Sequence, residues 1–466
     1  MDKLMLFFCI LLSTQIFSES LVIEKKFFPP KSTDIYRYVP FDVPDDVVEI
    51  KVSYSYDRKK HTVDIGIFDS NGIGKKGFRG WSGGSKSEFI IAEHNATAAY
   101  LPGPIYSGTW QVILGLYQVE PSGVDIKIEV EFRTSSANSF AGPRFLWNAD
   151  QVLESNTRWY KGDLHMHTNH SDGKQTIEDL VAYAKENQLD FLAMTEHNTC
   201  SHHFEIPTYA NNEVLLILGE EVTTTQGHAN VWGLPQGYWI DFRINRNNSI
   251  NDIVRDAHSV GALFSINHPF GPCGGCYWNH SDLEDYDSIE IWNGYWDPTD
   301  YLALQMWDRL LQQGKRIPIV GSSDSHKKQD PIGKPTTHVY ASNLSQKAIL
   351  TAIKNGRAYI TKDISPTAIE FSAYLENTND SAMMGDILNV RKQQEVLFAI
   401  AISGCKQGKV NVICNGRKII SKNISQLKNG MLEFSHIIVK DSYFRLEVED
   451  DYDMIAVTNP IYVDMK

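Results

Sequence analysis

A chain of 466 residues, 42% hydrophobic and 22% charged, is long enough for two to four globular domains. Its formal net charge of −13 argues against a broad cationic surface for nucleic acid. A small anion beside a cluster of cations stays compatible with that charge, because bound ions invert the local field.

Residues 1–20 read as a secretory signal. Lys3 gives a positive start, Leu4 to Phe17 is mostly apolar, and Ser18 and Ser20 flank a cleavage point. The apolar run is too short to span a bilayer, so the reading is a secreted or periplasmic protein, with a buried N-terminal strand as the alternative. No later stretch reads as a transmembrane helix, and Ile461 to Lys466 has no hydrophobic anchor tail. In an oxidising compartment Cys273–Cys276 and Cys405–Cys414 can pair, leaving Cys200 free. Without a second CxxC, the Cys-Gly-Gly-Cys pattern is better read as a loop staple, or two unpaired thiols, than as a zinc knuckle or redox pair.

Residues 24–135 alternate as short strands, such as Val63-Asp64-Ile65-Gly66-Ile67-Phe68, between Gly, Asn, Pro and Ser clusters, which predicts a β-sandwich. Within it, Phe78 to Gly84 is expected to be a loop packing Trp81 on its own domain; the alternative is a sugar or peptide site on that ring. A linker is expected over 136–158. Over 159–362, strands and helices alternate, implying a parallel sheet or barrel. Helices are expected from Thr176 to Asn187, from Ser249 to Gly261, from Pro298 through Leu302, Met306 and Leu310 to Gly314, and from Ser345 to Asn355. Residues 363–466 return to β and predict a second sandwich.

The chemistry gathers near the ends of the apolar runs. His165 and His167 stand two residues apart in a segment read as a strand, so both rings project from one face. Asp172 follows on a turn marked by Gly173. Further on come Glu196-His197, Glu220-Glu221, His228, His268, and a second same-face pair, Asp324 and His326. In a βα barrel such strand ends meet at one mouth. Nine imidazoles and carboxylates are too many ionisable groups for a packed core, and their types suit zinc, iron or manganese. Glu220 and Glu221 alternate faces, so only one should point inward. His202 and His203 are candidate substrate or proton-transfer groups, and Arg243, Lys327 and Lys328 are candidate phosphate ligands. His94, His258, His280, His338 and His436 read as ordinary core or surface histidines.

The segments Gly162 to Thr168, Ser171-Asp172-Gly173, Thr195 to Asn198, Asn267-His268-Pro269 and Ser323 to His326 resemble the PHP (polymerase and histidinol phosphatase) superfamily. Gly219 to Thr224 with Gly227 to Asn230 is similar to its CehA/McbA branch, which includes carbaryl-type carbamate hydrolases. Phe78 to Gly84, Gly108-Thr109-Trp110 and Thr458 to Tyr462 resemble that branch's flanks. The resemblance implies a distorted (β/α)7 TIM-like barrel between two β-sandwiches, holding two or three divalent metal ions (zinc, manganese or iron). By analogy one ion takes His165, His167, Glu221 and Asp324; a second takes Glu221, His228 and His268; a third takes Asp172, His197 and His326. Glu196 stands where the family usually has Asp, at a position that is not a ligand.

Catalysis would then rest on His165, His167, Glu221, His268, Asp324 and His326 through metal-activated water, with no side-chain nucleophile. Ser322, Ser323 and Ser325 do not form a Gly-x-Ser-x-Gly elbow. The expected function is a phosphoesterase acting on a small-molecule or glycan-linked phosphate. The alternatives are a carbamate, ester or amide hydrolase and, in another class, a noncatalytic binding protein stabilised by metals.

Overall fold

The computed structural model describes residues 18–32, 34–134, 146–364 and 366–466. The expected leader therefore lies outside the described residues as far as residue 17, and the expected linker as far as residue 145. From Ser18 the chain is already a strand: Ser18–Phe27 pairs antiparallel with Val124–Arg133.

Two four-stranded antiparallel sheets make the N-terminal sandwich. One orders Ser18–Phe27, Val124–Arg133, Glu49–Ser55 and Glu88–Ala92; the other orders Tyr36–Val43, Gly108–Gln118, Thr62–Phe68 and Phe78–Gly83. Alternation puts Val63, Ile65 and Ile67 into the core with Val52, Val112 and Val130. Asp64 and Phe68 consequently face the opposite way, toward the rest of the chain.

Phe78–Gly83 is a strand rather than the expected loop, and Trp81 is neither packed solely on its own domain nor free to bind a sugar. Its ring is buried against Phe242 of the α/β region, with centroids 4.9 Å apart. Phe78 stacks on Trp239 at 3.8 Å. Gly66 makes room for this: a Cβ there would lie 2.7 Å from the Trp81 ring. The second sheet of the sandwich is thus a docking surface, and its outward aromatics share one core with Trp239, Phe242 and Ile253.

The central region is mixed α/β. Its ladder runs Ile319–Ser322, Ser288–Asn293, Leu263–Asn267, Gly227–Trp232, Leu215–Thr224, Phe191–Met194, Arg158–Asp163, Thr336–Ala341, Ala358–Thr361. Four α-helices are present among the described residues: α1 (Ile177–Glu186), α2 (Ile250–Ser259), α3 (Pro298–Gln312) and α4 (Gln346–Lys354). Thr176, Ser249 and Asp297 cap the first three with reciprocal capping boxes, and Ser345 caps the fourth.

The ladder does not by itself show the expected distorted (β/α)7 barrel. The chain reverses at Thr225-Gln226, so Gly227–Trp232 is antiparallel to both its neighbours, and no backbone ladder joins the two outer strands of the region. The expected helix from Pro298 is present as α3. Ala303, Leu304, Trp307 and Leu311 are buried, Met306 and Leu310 pack half-buried against the same core, and the Trp307 indole donates to the Ile317 carbonyl at 2.7 Å.

The expected boundary at 362/363 falls just after Ala358–Thr361, a strand whose ladder continues into the C-terminal region. Ala358–Thr361 pairs with Thr336–Ala341 on one side and Met454–Thr458 on the other. The latter leads to Ser442–Glu449 and Lys409–Cys414, which face the sheet Ser381–Met383, Ala368–Tyr374, Glu395–Ser403, Met431–Ile437 across a core of Phe398, Ile400, Val412 and Phe444. Asn459 ties the two regions together. Its side chain accepts from Ile319 N at 2.9 Å and donates to the Ile319 and Ala358 carbonyls at 3.1 and 3.0 Å. Cys273 and Cys276 form a disulfide; Cys405 and Cys414, expected as a second pair, are free, as is Cys200. Cys414 is buried at its strand end, while the Cys405 thiol turns to the Gln407 carbonyl.

Two outcomes follow. Trp81→Ala is expected to cost about 3–5 kcal/mol, read by denaturant unfolding, with faster proteolysis between sandwich and α/β region. His338 is a core histidine: it stacks on Tyr359 at 4.4 Å, and its Nε2 lies 2.9 Å from Thr361 Oγ1. Burial, then Lys161, pushes its imidazole down to about 3. The unfolded chain therefore takes up a proton that the folded one refuses. Stability is full above the unfolded value near 6.5 and falls, by up to ~1.4 kcal/mol per pH unit, as pH drops toward the folded value. His338→Phe should flatten that part of the pH profile of the unfolding midpoint.

Candidate metal centre

His165 and His167 lie just beyond the end of their strand, not within it, but the backbone stays extended. Met166 makes a parallel bridge with Ser325, in which His167 N donates to Ser325 O and Asp324 N donates to His165 O, both at 2.9 Å. Met166 and Ser325 are buried on one side, so His165, His167, Asp324 and His326 emerge together on the other. A second parallel bridge, His197 to Glu221, adds the next two groups. The Thr225-Gln226 reversal pairs His228 with Thr223, beside Glu221. Gly173 closes the Asp172 turn so tightly that a Cβ would lie 2.4 Å from the His167 carbonyl.

All nine predicted groups meet. Glu221 is the hub: its Oε1 lies 3.2, 3.3 and 3.4 Å from nitrogens of His165, His228 and His268, and its Oε2 lies 2.6 and 3.5 Å from His197 and His167. Asp324 Oδ1 is 3.3, 3.1 and 3.5 Å from His165, His167 and His326. Asp172 Oδ1 is 3.2 and 3.5 Å from Nε2 of His326 and His197. Exposure rises across the cluster: the side chains of His165, His167 and Glu221 are sealed at 0%, whereas Asp172 is 47% exposed.

These donors fit cations better than they fit each other. His165 Nε2, His167 Nε2 and Asp324 Oδ1 are buried and without a hydrogen bond, although each lies within 3.5 Å of an opposite partner. Burial alone would raise Glu221 and Asp324, yet the surrounding imidazoles hold both well below the usual carboxylate range. Burial would likewise lower His165, yet Asp324, Glu290 and Glu221 hold it well above. Imidazoles and carboxylates thus hold opposite charges against one another, and the buried donor atoms without a hydrogen bond suit a cation between them. His268, Asp324 and Asn198 also take left-handed backbone conformations (φ +25°, +51° and +56°), at about 1–3 kcal/mol each.

Glu290 was not singled out from the sequence. It lies on Ser288–Asn293, stands 3.0 Å from His165 Nδ1, and accepts from His268 N at 3.0 Å and Asn293 at 3.1 Å. It orients two candidate ligands at once and leaves His165 Nε2 facing the centre. The one signal was a carboxylate in the apolar run Ile289-Glu290-Ile291. Glu196 accepts from Thr168 N, Thr168 Oγ1 and Ser171 Oγ, consistent with a non-ligand role. Glu220 faces away, as alternation requires, and accepts from Ile240 N.

Five other candidates lie away from the cavity. His202 and His203 are buried behind the site, with Nε2 atoms 2.9 and 3.0 Å from the Gly219 carbonyl. Arg243 is held by Asp241 and the Tyr38 hydroxyl, beneath Phe68. Lys327 is exposed and pairs with Asp330 at 3.7 Å, and Lys328 is exposed. None of them lines the cavity of about 610 Å³ that opens over Asp172, His197, Glu221, His228, His268, Asp324 and His326.

Residues 163–451 match the PHP domain. The chain belongs to the PHP domain family. The PHP match starts at the strand leading to His165 and crosses the expected boundary at 362/363, as the ladder does. Thirteen solved chains are similar; one is a two-domain protein containing a predicted PHP-like metal-dependent phosphoesterase from Bacteroides vulgatus. It is 19% identical, covers 69% of this chain and 100% of its own, and superposes with a TM-score of 0.38. No curated protein matches the sequence significantly. PHP membership and the nine-residue cluster together support a metal-dependent hydrolase.

Glu221→Ala should remove more than one equivalent of bound metal, and Asp172→Asn one or fewer, by elemental analysis of folded protein. Glu290→Gln should weaken metal retention by about 10–100-fold in a chelator competition. Equal metal content in Glu221→Ala and wild type would overturn the assignment.

Proposed function

We propose that this protein is an exported metal-dependent phosphoesterase acting on a small-molecule phosphate ester. The observation that carries this is the convergence of His165, His167, Asp172, His197, Glu221, His228, His268, Asp324 and His326 around Glu221 at the floor of one cavity. In this reading His165, His167, Glu221 and Asp324 hold one cation, Glu221, His228 and His268 a second, and Asp172, His197 and His326 a third. Zinc, manganese or iron held there supplies Lewis acidity and an activated water. The chain's own part is to fix the ligand rings through Glu290 and Thr223, to restrict water with the Cys273–Cys276 loop, and to leave Asp172 and His326 at the open side where substrate enters. The cavity volume suits a small molecule rather than a polymer. Export is supported by the apolar start of the sequence and agrees with a disulfide at Cys273–Cys276.

A second reading, carbamate, ester or amide hydrolysis of the CehA/McbA kind, is favoured by one observation. Among the described residues lining the cavity there is no arginine or lysine, so a phosphate dianion would be neutralised by the cations alone. A neutral acyl group makes no such demand.

The two readings separate on a panel of phosphomonoester, phosphodiester and carbamate substrates assayed with manganese, zinc and ferrous iron. Chelation should abolish turnover. His268→Ala should lower kcat/KM by more than about 100-fold while the unfolding transition is retained. Undiminished turnover in that variant would refute the site.

A further inference from the structure

The N-terminal sandwich supplies one wall of the cavity. Alternation along Thr62–Phe68 sends Val63 and Ile65 into the sandwich core and turns Asp64 outward. Asp64 lines the same cavity as Asp172, His197 and His268, with Trp81 and Tyr117 beside it. Its carboxylate sits against the Gly83–Gly84 turn, where a Cβ added at Gly84 would lie 3.2 Å from Oδ1.

This carboxylate has no assigned work. It makes no hydrogen bond and no ion pair among the described residues, and it belongs to none of the groups placed to share a metal ion. Arg58 acts on it only from a distance, since that guanidinium donates to the Gly84 carbonyl and lies over Tyr54 and Tyr56. A half-buried carboxylate without a partner is held at a cost. Accordingly burial pushes this group up to about 7, with His197 opposing that rise and Asp172 adding to it. The cavity lining holds no lysine or arginine among the described residues, so a counter-charge directly on this carboxylate is one a ligand can bring.

We propose that Asp64 is a specificity residue that receives an ammonium group on the non-reacting end of the substrate, with the half-buried Tyr117 ring beside it. The substrate would then be an amino-bearing ester, its ester end at the His and carboxylate cluster and its cationic end at the sandwich wall. This rests on the reading of that cluster as the reacting end.

The test uses metal-loaded full-length protein and two probes matched in length, 2-aminoethyl phosphate and n-propyl phosphate. Calorimetry gives the two affinities and steady-state assays give the two kcat/KM values. Wild type should favour the amino probe by about tenfold or more, the kinetic difference lying in KM rather than kcat. Asp64→Asn, with Asp64→Ala as a second variant and unfolding curves for both, should bring the ratio to about one. Equal affinities in wild type, or a preference that survives in both folded variants, overturns the proposal. Turnover of both probes without preference would leave the phosphoesterase reading standing and this one lost. An Asp64-dependent binding preference without turnover would do the reverse.

Discussion

The site depends on one short backbone pairing. The bridge between Met166 and Ser325 joins segments that are neighbours in neither sequence nor ladder, and it fixes their relative register. Because side chains alternate along extended backbone, that single register aligns the His165/His167 pair with the Asp324/His326 pair. Slipping it by one residue would turn Met166 and Ser325 into the cavity and bury four ionisable groups in the apolar core around Leu192 and Leu216. The other ligands are set by hydrogen bonds to this frame: Glu221 by its bridge to His197, and His268 by the Glu290 carboxylate.

Gathering six imidazoles and three carboxylates opposes folding. Most are fully or largely buried, three nearby residues adopt strained backbone, and several ring nitrogens face carboxylate oxygens without a hydrogen bond. The apolar cores on each side supply the offset: Trp81, Phe242 and Trp239 from the sandwich side, Ile291, Trp292 and Trp307 from beneath. Cations at the centre would turn the same donors from a liability into a stabilising term, and would couple metal binding to folding.

Much of the site was legible because its information is local. His-x-His and Asp-x-His at period two, Gly173 on a turn, and the alternation of Glu220 and Glu221 each follow from backbone geometry over a few residues. Helix starts at Thr176, Ser249 and Asp297 were legible for the same reason. What failed depended on tertiary placement. Arg243 has the charge for a phosphate but is consumed by Asp241 and Tyr38. His202 and His203 have the chemistry but sit behind the sheet. Glu290 is a lone carboxylate in sequence and gains meaning only beside His165. The reversal at Thr225-Gln226 lacks the Asn-Gly or Asp-Gly signature of a tight hairpin, so a mixed sheet was read as a parallel one.

The Asn459 clamp has a consequence for how the enzyme matures. The strand Ile319–Ser322, which delivers Asp324 and His326, is a ladder edge within the α/β region and is tethered there by a side chain far downstream. During vectorial synthesis, His165 and His167 emerge early, but the segment opposite them gains its tether only after Asn459 has left the ribosome. A nascent chain stalled within the C-terminal strands would carry all nine candidate ligands, the last of them His326, before the Asn459 tether is in place.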